Sequence, residues 1–444
     1  MKNQTIGSIL LSVIPAATLL LIPPASHAAG GDLLWTNQLD TAAGRDQALA
    51  VTGKGRGVFV AGRTRNAAGN DDWQVNSYDA VNGAVLWTNR LDLAAGRDEA
   101  LSIALAGKVV AAAGRVRNGN NDDWFVRAYD TATGTVLWSD QYNLTNGNDR
   151  ANAIAAAGKT FVAAGRVRNI AGDDDWFVRA YDTATGTVLW SDQYDSAADN
   201  DEAVVVTILG TKAIAVGHVT NGAGDFDWLV RAYDLSTGNI LWTRQLDKVA
   251  GDDAALAITG SGRAIYVSGY VGNAAGNEDW EVRAYDAGTG NLLWEDQFDF
   301  ANDDDRAVGL AIRGKTLVAV GRVRNVAGDS DFAVRTYDAS NGSLLWQDRI
   351  NPAGFDDSAT GVTISGSTIV AFGRLTNANG DTDWAVRAYS AKTGGVLWND
   401  QYDQAAGDDQ AAAAIALGKR IVVVGDAQNL AGDSDWLLRT YAVK

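Results

Sequence analysis

The chain has no cysteine, one methionine, two histidines and four prolines in 444 residues. Without a thiol no disulfide can form, and sulfur-ligated zinc, copper or iron–sulfur centres are excluded. The same absence rules out a lipid anchor attached through cysteine. Basic residues are scarce too: 37 Lys and Arg stand against 54 Asp and Glu, a formal charge of −17. That excess repels phosphate backbones and anionic lipid, so nucleic acid and membrane surfaces are poor partners and basic proteins, polymers or cations better ones. Beyond residue 28 no apolar run is long enough to cross a bilayer, so no membrane insertion is expected.

Residues 1–28 differ from everything after them. Lys2 makes a short positive start, Ile6 to Ile22 are largely apolar, and Ser26-His27-Ala28 places small residues where a signal peptidase reads them. The expectation is a secretory signal peptide cleaved near Ala28, with residues 29–444 exported to the periplasm or the extracellular space.

What the chain has in abundance is repetition. Eight Leu-Trp pairs place tryptophan at Trp35, Trp87, Trp138, Trp190, Trp242, Trp294, Trp346 and Trp398, at steps of 52 residues with one of 51. A period of that length, filled with short strands and glycine-bearing turns, predicts an all-β, eight-bladed β-propeller of four-stranded antiparallel blades. In the third repeat the strands read Arg150–Ala157, Thr160–Arg168, Trp176–Asp182 and Thr187–Tyr194. After residue 28 the repeats start on a fourth strand, Leu33–Leu39, and finish on a third, Trp436–Val443, so the N-terminal strand is expected to complete the last blade and close the ring. Eightfold recurrence makes the Leu-Trp tryptophans inter-blade packing residues, together with Trp73, Trp124, Trp176, Trp228, Trp280, Phe332, Trp384 and Trp436.

Polar signal concentrates in the loops. One Asp precedes every first strand, from Asp46 to Asp409, and another precedes every third strand, from Asp72 to Asp435. Up-and-down blades bring both loop sets to one face, which predicts an acidic rim. Such carboxylates can cap loops by accepting backbone N–H groups. Closely spaced oxygen ligands, Asp173 with Asp175 and Asp433 with Asp435, also suit calcium, although neither loop has the length or terminal Glu of an EF-hand. Near-identical carboxylates provide no acid–base asymmetry for catalysis.

Where the copies differ, a binding site can be sought. The second-strand arginine of Arg63, Arg115, Arg166, Arg322 and Arg374 becomes His218, Tyr270 and Asp426 in the other three repeats. These three are the candidate interaction patch.

The run Ala128-Tyr-Asp-Thr-Ala-Thr-Gly134-Thr-Val-Leu-Trp138 resembles the tryptophan-docking motif of pyrroloquinoline-quinone (PQQ) repeat propellers, with Ala, Asp, Gly and Trp at matching offsets. The pattern recurs from Ala180, Ala232 and Ala284 and loosens at Ser77, Thr336 and Ser390. That family has eight blades and includes quinoprotein dehydrogenases and the non-enzymatic propeller of outer-membrane barrel assembly. The enzymes hold the quinone against a disulfide of adjacent cysteines, beside calcium and a catalytic Asp. This chain has no cysteine, and no position matches that calcium motif or that Asp. The resemblance therefore implies a non-enzymatic binding or scaffold protein with no cofactor. A PQQ-dependent alcohol or sugar dehydrogenase and a calcium-binding propeller stand as the alternatives.

Overall fold

The computed structural model describes residues 29–443 apart from 42, 43, 94, 95, 146, 197, 198, 250 and 302. The signal-peptide reading lies outside the described residues. The rest forms thirty-two strands in eight four-stranded antiparallel sheets. Blade 1 consists of Gln47–Lys54, Gly57–Arg65, Asp71–Asp79 and Val85–Leu91. Blades 2 to 7 follow at 99–142, 150–194, 202–246, 254–298, 306–350 and 358–402. Blade 8 takes three strands from 410–442, and Leu33–Leu39 pairs antiparallel with Ser434–Ala442 as its fourth. The ring is closed by backbone hydrogen bonds between the two ends of the chain.

First strands of successive blades lie against one another around the axis, and fourth strands form the outer edge. Each blade buries both faces against neighbours, so second and third strands read as almost unbroken apolar runs. Eight hydrophobic clusters result, each joining residues of two adjacent blades.

The tryptophans hold these interfaces in two ways. Trp138 of blade 2 donates its indole N–H to the Thr183 carbonyl of blade 3 at 3.0 Å and stacks on Tyr181. Its ring covers Gly186, where φ is +72° and an added Cβ would lie 2.5 Å from the indole, so glycine is required for both reasons. Equivalent bonds run from Trp35, Trp87, Trp190, Trp242, Trp294 and Trp346. Trp346 and Trp398 are only partly buried. The second set is buried completely, and Trp124 Nε1 donates to Tyr181 Oη of the next blade at 3.0 Å. Burying an indole of 150–250 Å² contributes about 4–6 kcal/mol as an upper bound, enough for these sets to stabilise a ring without disulfides.

In most blades the third strand starts before its tryptophan. In blade 3 it spans Asp174–Asp182, because Arg168 pairs across the ladder with Asp174. Asn169 and Asp173 close the turn, with the Asn169 N–H donating to the Asp173 carbonyl at 2.8 Å. The second carboxylate of each blade therefore sits inside a strand, not in the loop before it.

Candidate functional site

The carboxylates before the first strands are all but fully buried, none more than 1% exposed. Asp149 shows their work: Oδ1 accepts the Arg168 N–H at 2.6 Å and Oδ2 the Leu144 N–H at 3.2 Å. One side chain thus ties the loop entering the blade to the end of the second strand. Asp46, Asp98, Asp201, Asp253, Asp305 and Asp409 repeat the arrangement. Asp357 does not. Its Oδ1 accepts Thr376 N–H at 2.6 Å, but the second donor position is Pro352, which has no N–H, and Oδ2 is buried without a partner. Burial outweighs the backbone donors and raises these carboxyls to about 6 in Asp46, Asp98, Asp149, Asp201 and Asp253, and to about 7 in Asp305, Asp357 and Asp409.

The third-strand set is bound by side chains instead. Asp175 accepts from Asn169 Nδ2 at 2.7 Å and from Gln193 Nε2 at 2.5 Å. Asp435 accepts from Asn429 at 2.9 Å and from Gln38 of the closing strand. Amide donors therefore occupy the oxygens of two of the four calcium candidates. Asp173 and Asp433 lie in the turns beside them, and Asp173 Oδ2 is buried without a hydrogen-bond partner. No cluster of three His, Cys, Asp or Glu with metal-holding geometry exists among the described residues.

The two face-forming sets frame a central mouth, and its arginines divide the ring. In blade 1 Arg63 reaches Asp71 at 3.2 Å and Glu99 of blade 2. Arg115 of blade 2 pairs with Glu99 at 2.6 Å and Asp122 at 3.0 Å. Arg166 of blade 3 pairs with Asp174 at 2.9 Å and Glu202 of blade 4 at 3.6 Å. Blades 6 and 7 lack these acceptors: Ser330 and Thr382 stand where blades 1 to 3 carry Asp71, Asp122 and Asp174. Beside this second group a cavity of about 450 Å³ opens between Arg45, Gln47, Phe355, Arg374, Asp408 and Asp426.

The candidate patch is only partly assembled. His218 of blade 4 is half-buried against Phe226, with ring centroids 4.3 Å apart, and burial lowers its pKa. Tyr270 of adjacent blade 5 is 8% exposed beneath the Arg306 guanidinium, 4.5 Å from its ring centre, and burial raises its hydroxyl to about 12. Asp426 belongs to blade 8, across the ring from blade 4, and lines the cavity with its carboxyl raised to about 6 by burial. The first two thus sit in adjacent blades and the third across the ring.

One charged residue escaped the sequence reading. Between blades 2 and 3, Asp140 accepts the Tyr181 hydroxyl at 2.8 Å and pairs with Arg179 at 3.1 Å. Between blades 4 and 5 the matching position is Arg244, and Arg283 turns to Glu281 at 3.1 Å and Glu295 at 2.6 Å. Glu281 is fully buried, also meets Lys248 at 3.4 Å, and is raised to about 7 by burial. Its signal was legible: a charge stands where sibling repeats carry Phe125, Phe177 and Leu229.

Comparison with known proteins gives a consistent picture. A family model described as outer membrane protein assembly factor BamB matches residues 25–224, 178–381 and 281–434. No curated relative matches the chain. Among solved structures, Sqt1 from Chaetomium thermophilum, bound to the N-terminus of the ribosomal protein L10, superposes with a TM-score of 0.57 and 14% identity, covering 89% of this chain and 97% of that one. Quinohemoprotein alcohol dehydrogenase from Comamonas testosteroni gives 0.60 and 11%, over 93% and 76%. A europium-containing methanol dehydrogenase gives 0.58 and 11%, over 92% and 93%. At such identities the likeness is one of fold.

Proposed function

Because the chain belongs to the PQQ-repeat propellers, the family of the outer membrane protein assembly factor BamB, we propose that it is an exported, non-enzymatic binding or scaffold propeller whose acidic loop face receives a basic partner. One observation carries this reading. The inward carboxylates are committed to backbone and amide donors, yet a further set on the same face is exposed: Asp40, Asp92, Asp195, Asp247 and Asp403 follow fourth strands. Charge held at the surface and not absorbed by the fold steers a cationic partner. The propeller of Sqt1 solved with a ribosomal protein N-terminus supports protein binding as a use of this architecture.

Titration of residues 29–444 with a lysine-rich peptide tests the proposal. Binding should weaken steeply with salt and drop when Asp195, Asp247 and Asp403 are replaced together by Asn, with melting unchanged. Binding insensitive to salt and to the triple substitution would refute it. Turnover of an alcohol or sugar with added PQQ and an artificial electron acceptor would establish the dehydrogenase instead.

A further inference from the structure

The repeats act as one another's controls at the mouth. A guanidinium in this second-strand position has a carboxylate from its own third strand in blades 1 to 3, and Glu99 or Glu202 from a first strand. Around Arg322 and Arg374 every one of those carboxylates is replaced, by Ser330 and Thr382 in the third strands and by Ser358 and Gln410 in the next first strands. Neither guanidinium makes a hydrogen bond, ion pair or ring contact with a described residue. Both are half-buried and share a recess of about 110 Å³ with the Ser330 and Ser358 side chains. Three carboxylates line the recess without an ion pair to either guanidinium: Asp304 Oδ1 accepts Glu278 N–H at 3.1 Å, Asp356 Oδ1 accepts Ser330 N–H at 2.8 Å and Asp357 Oδ1 accepts Thr376 N–H at 2.6 Å. A half-buried guanidinium without an acceptor loses hydration and gains nothing in return.

We propose that Arg322 and Arg374 form a binding site for the carboxylate group of a small polar ligand, which takes the place that Asp122 and Glu99 hold in blade 2. The chemistry is that of a planar anion accepting charge-assisted N–H bonds, the geometry guanidinium groups recognise best. The recess adjoins the larger cavity, with Arg374 and Asp356 lining both. Its volume of about 450 Å³ lies within the usual range for small-molecule sites. Its far wall carries Asp426 and Gln47, which accept hydrogen bonds, beside Arg45. The ligand is therefore a carboxylate whose remainder donates hydrogen bonds, through an ammonium group or several hydroxyls. This site is separate from Asp40, Asp92, Asp195, Asp247 and Asp403 at the ends of the fourth strands and does not depend on a basic partner.

The test is thermal-shift and calorimetric titration of residues 29–444 with acetate, glutamate, glucuronate, inorganic phosphate and glucose. Glutamate or glucuronate should raise the melting temperature, glucose should not, and acetate should bind more weakly than the responder. A response to glutamate alone assigns an ammonium at the far wall; one to glucuronate alone assigns hydroxyls. Arg322→Gln and Arg374→Gln should each weaken binding about tenfold or more. Ser330→Asp supplies the missing internal carboxylate, so it should raise the ligand-free melting temperature and abolish the response. That variant decides the matter if the arginine variants fold poorly. The proposal is overturned if no carboxylate binds at millimolar concentration, if phosphate binds as tightly as the best carboxylate, or if the response survives in Ser330→Asp.

Discussion

Blades 1 to 3 and blades 6 to 7 carry the same second-strand arginine, and the two groups use it differently. In the first, Arg63, Arg115 and Arg166 are locked into ion pairs, those of Arg63 with Glu99 and Arg166 with Glu202 crossing a blade boundary and those of Arg115 staying within blade 2. In the second, Arg322 and Arg374 face the mouth with hydroxyl neighbours. A symmetric fold can thus hold a structural half and a receptive half, and what separates them is the partner position, not the arginine. The acidic sets teach the same lesson. Burial commits Asp149 and Asp175 to the architecture, whereas Asp247 and Asp403 remain at the surface for a partner.

The largest expected effect removes what both halves share. A chain beginning at Thr41 lacks the closing strand and exposes the edge of Ser434–Ala442 with the surface that Trp35 covers. Cooperative unfolding should disappear and aggregation follow, read by calorimetry and light scattering; unchanged melting would refute closure.

Next comes loss of a single cap. Asp149→Ala strands two backbone N–H groups and should cost about 2–3 kcal/mol in denaturant unfolding. A cost below about 0.5 kcal/mol would mean the loop finds other partners.

The pH profile follows from the same carboxylates. Their folded pKa values lie above the unfolded value, so the native state holds protons the unfolded chain has released. That stability is present at low pH and is lost as pH rises through about 6 to 7. Asp130 and Asp182 act oppositely: loop hydrogen bonds depress them, and their contribution is lost as pH falls below the unfolded value of 3.8. His218, lowered by burial, also opposes the trend, but singly. Melting temperature should peak near pH 4, about the unfolded carboxyl value, and decline as pH rises toward 8. A maximum above neutrality would contradict the buried-carboxyl account.

Pro352→Leu should have a smaller effect, since Leu93 and Leu144 occupy that place in sibling blades. The restored N–H adds about 1 kcal/mol, while loss of proline returns about 0.4–1 kcal/mol of unfolded-chain entropy, so net stability should hardly change. The carboxyl of Asp357 should nevertheless fall from about 7, read by NMR titration. Smallest of all is the expected response to calcium: with Asp175 and Asp435 occupied by amide donors, melting should not differ between calcium and chelator. A chelator-reversible rise would place calcium at those loops.

Much of this was readable beforehand because repetition averages out local ambiguity. Two strands of the third repeat, Arg150–Ala157 and Thr160–Arg168, and the closing Leu33–Leu39 match residue for residue. The third strands begin earlier than the tryptophan suggested, since the Asn169 turn lets pairing run to Asp174. The five arginines looked equivalent because their partners lie in other strands, as Glu99 does for Arg63, and pairing over that separation depends on ring geometry. Glu281 was missed for a like reason: it answers Arg283, left without its usual aspartate by Arg244. Asp426 differs from its siblings as visibly as His218, yet only the closed ring shows that they face from opposite sides.

The central claim, that identical arginines are structural in one half and receptive in the other, is tested most directly by comparing the unfolding free energies of Arg115→Gln and Arg374→Gln without ligand. Arg115→Gln leaves Glu99 and Asp122 short of a partner and should lose about 2–4 kcal/mol. Arg374→Gln removes an unpaired charge and should be neutral or stabilising. Equal losses in the two variants would contradict the division of the ring.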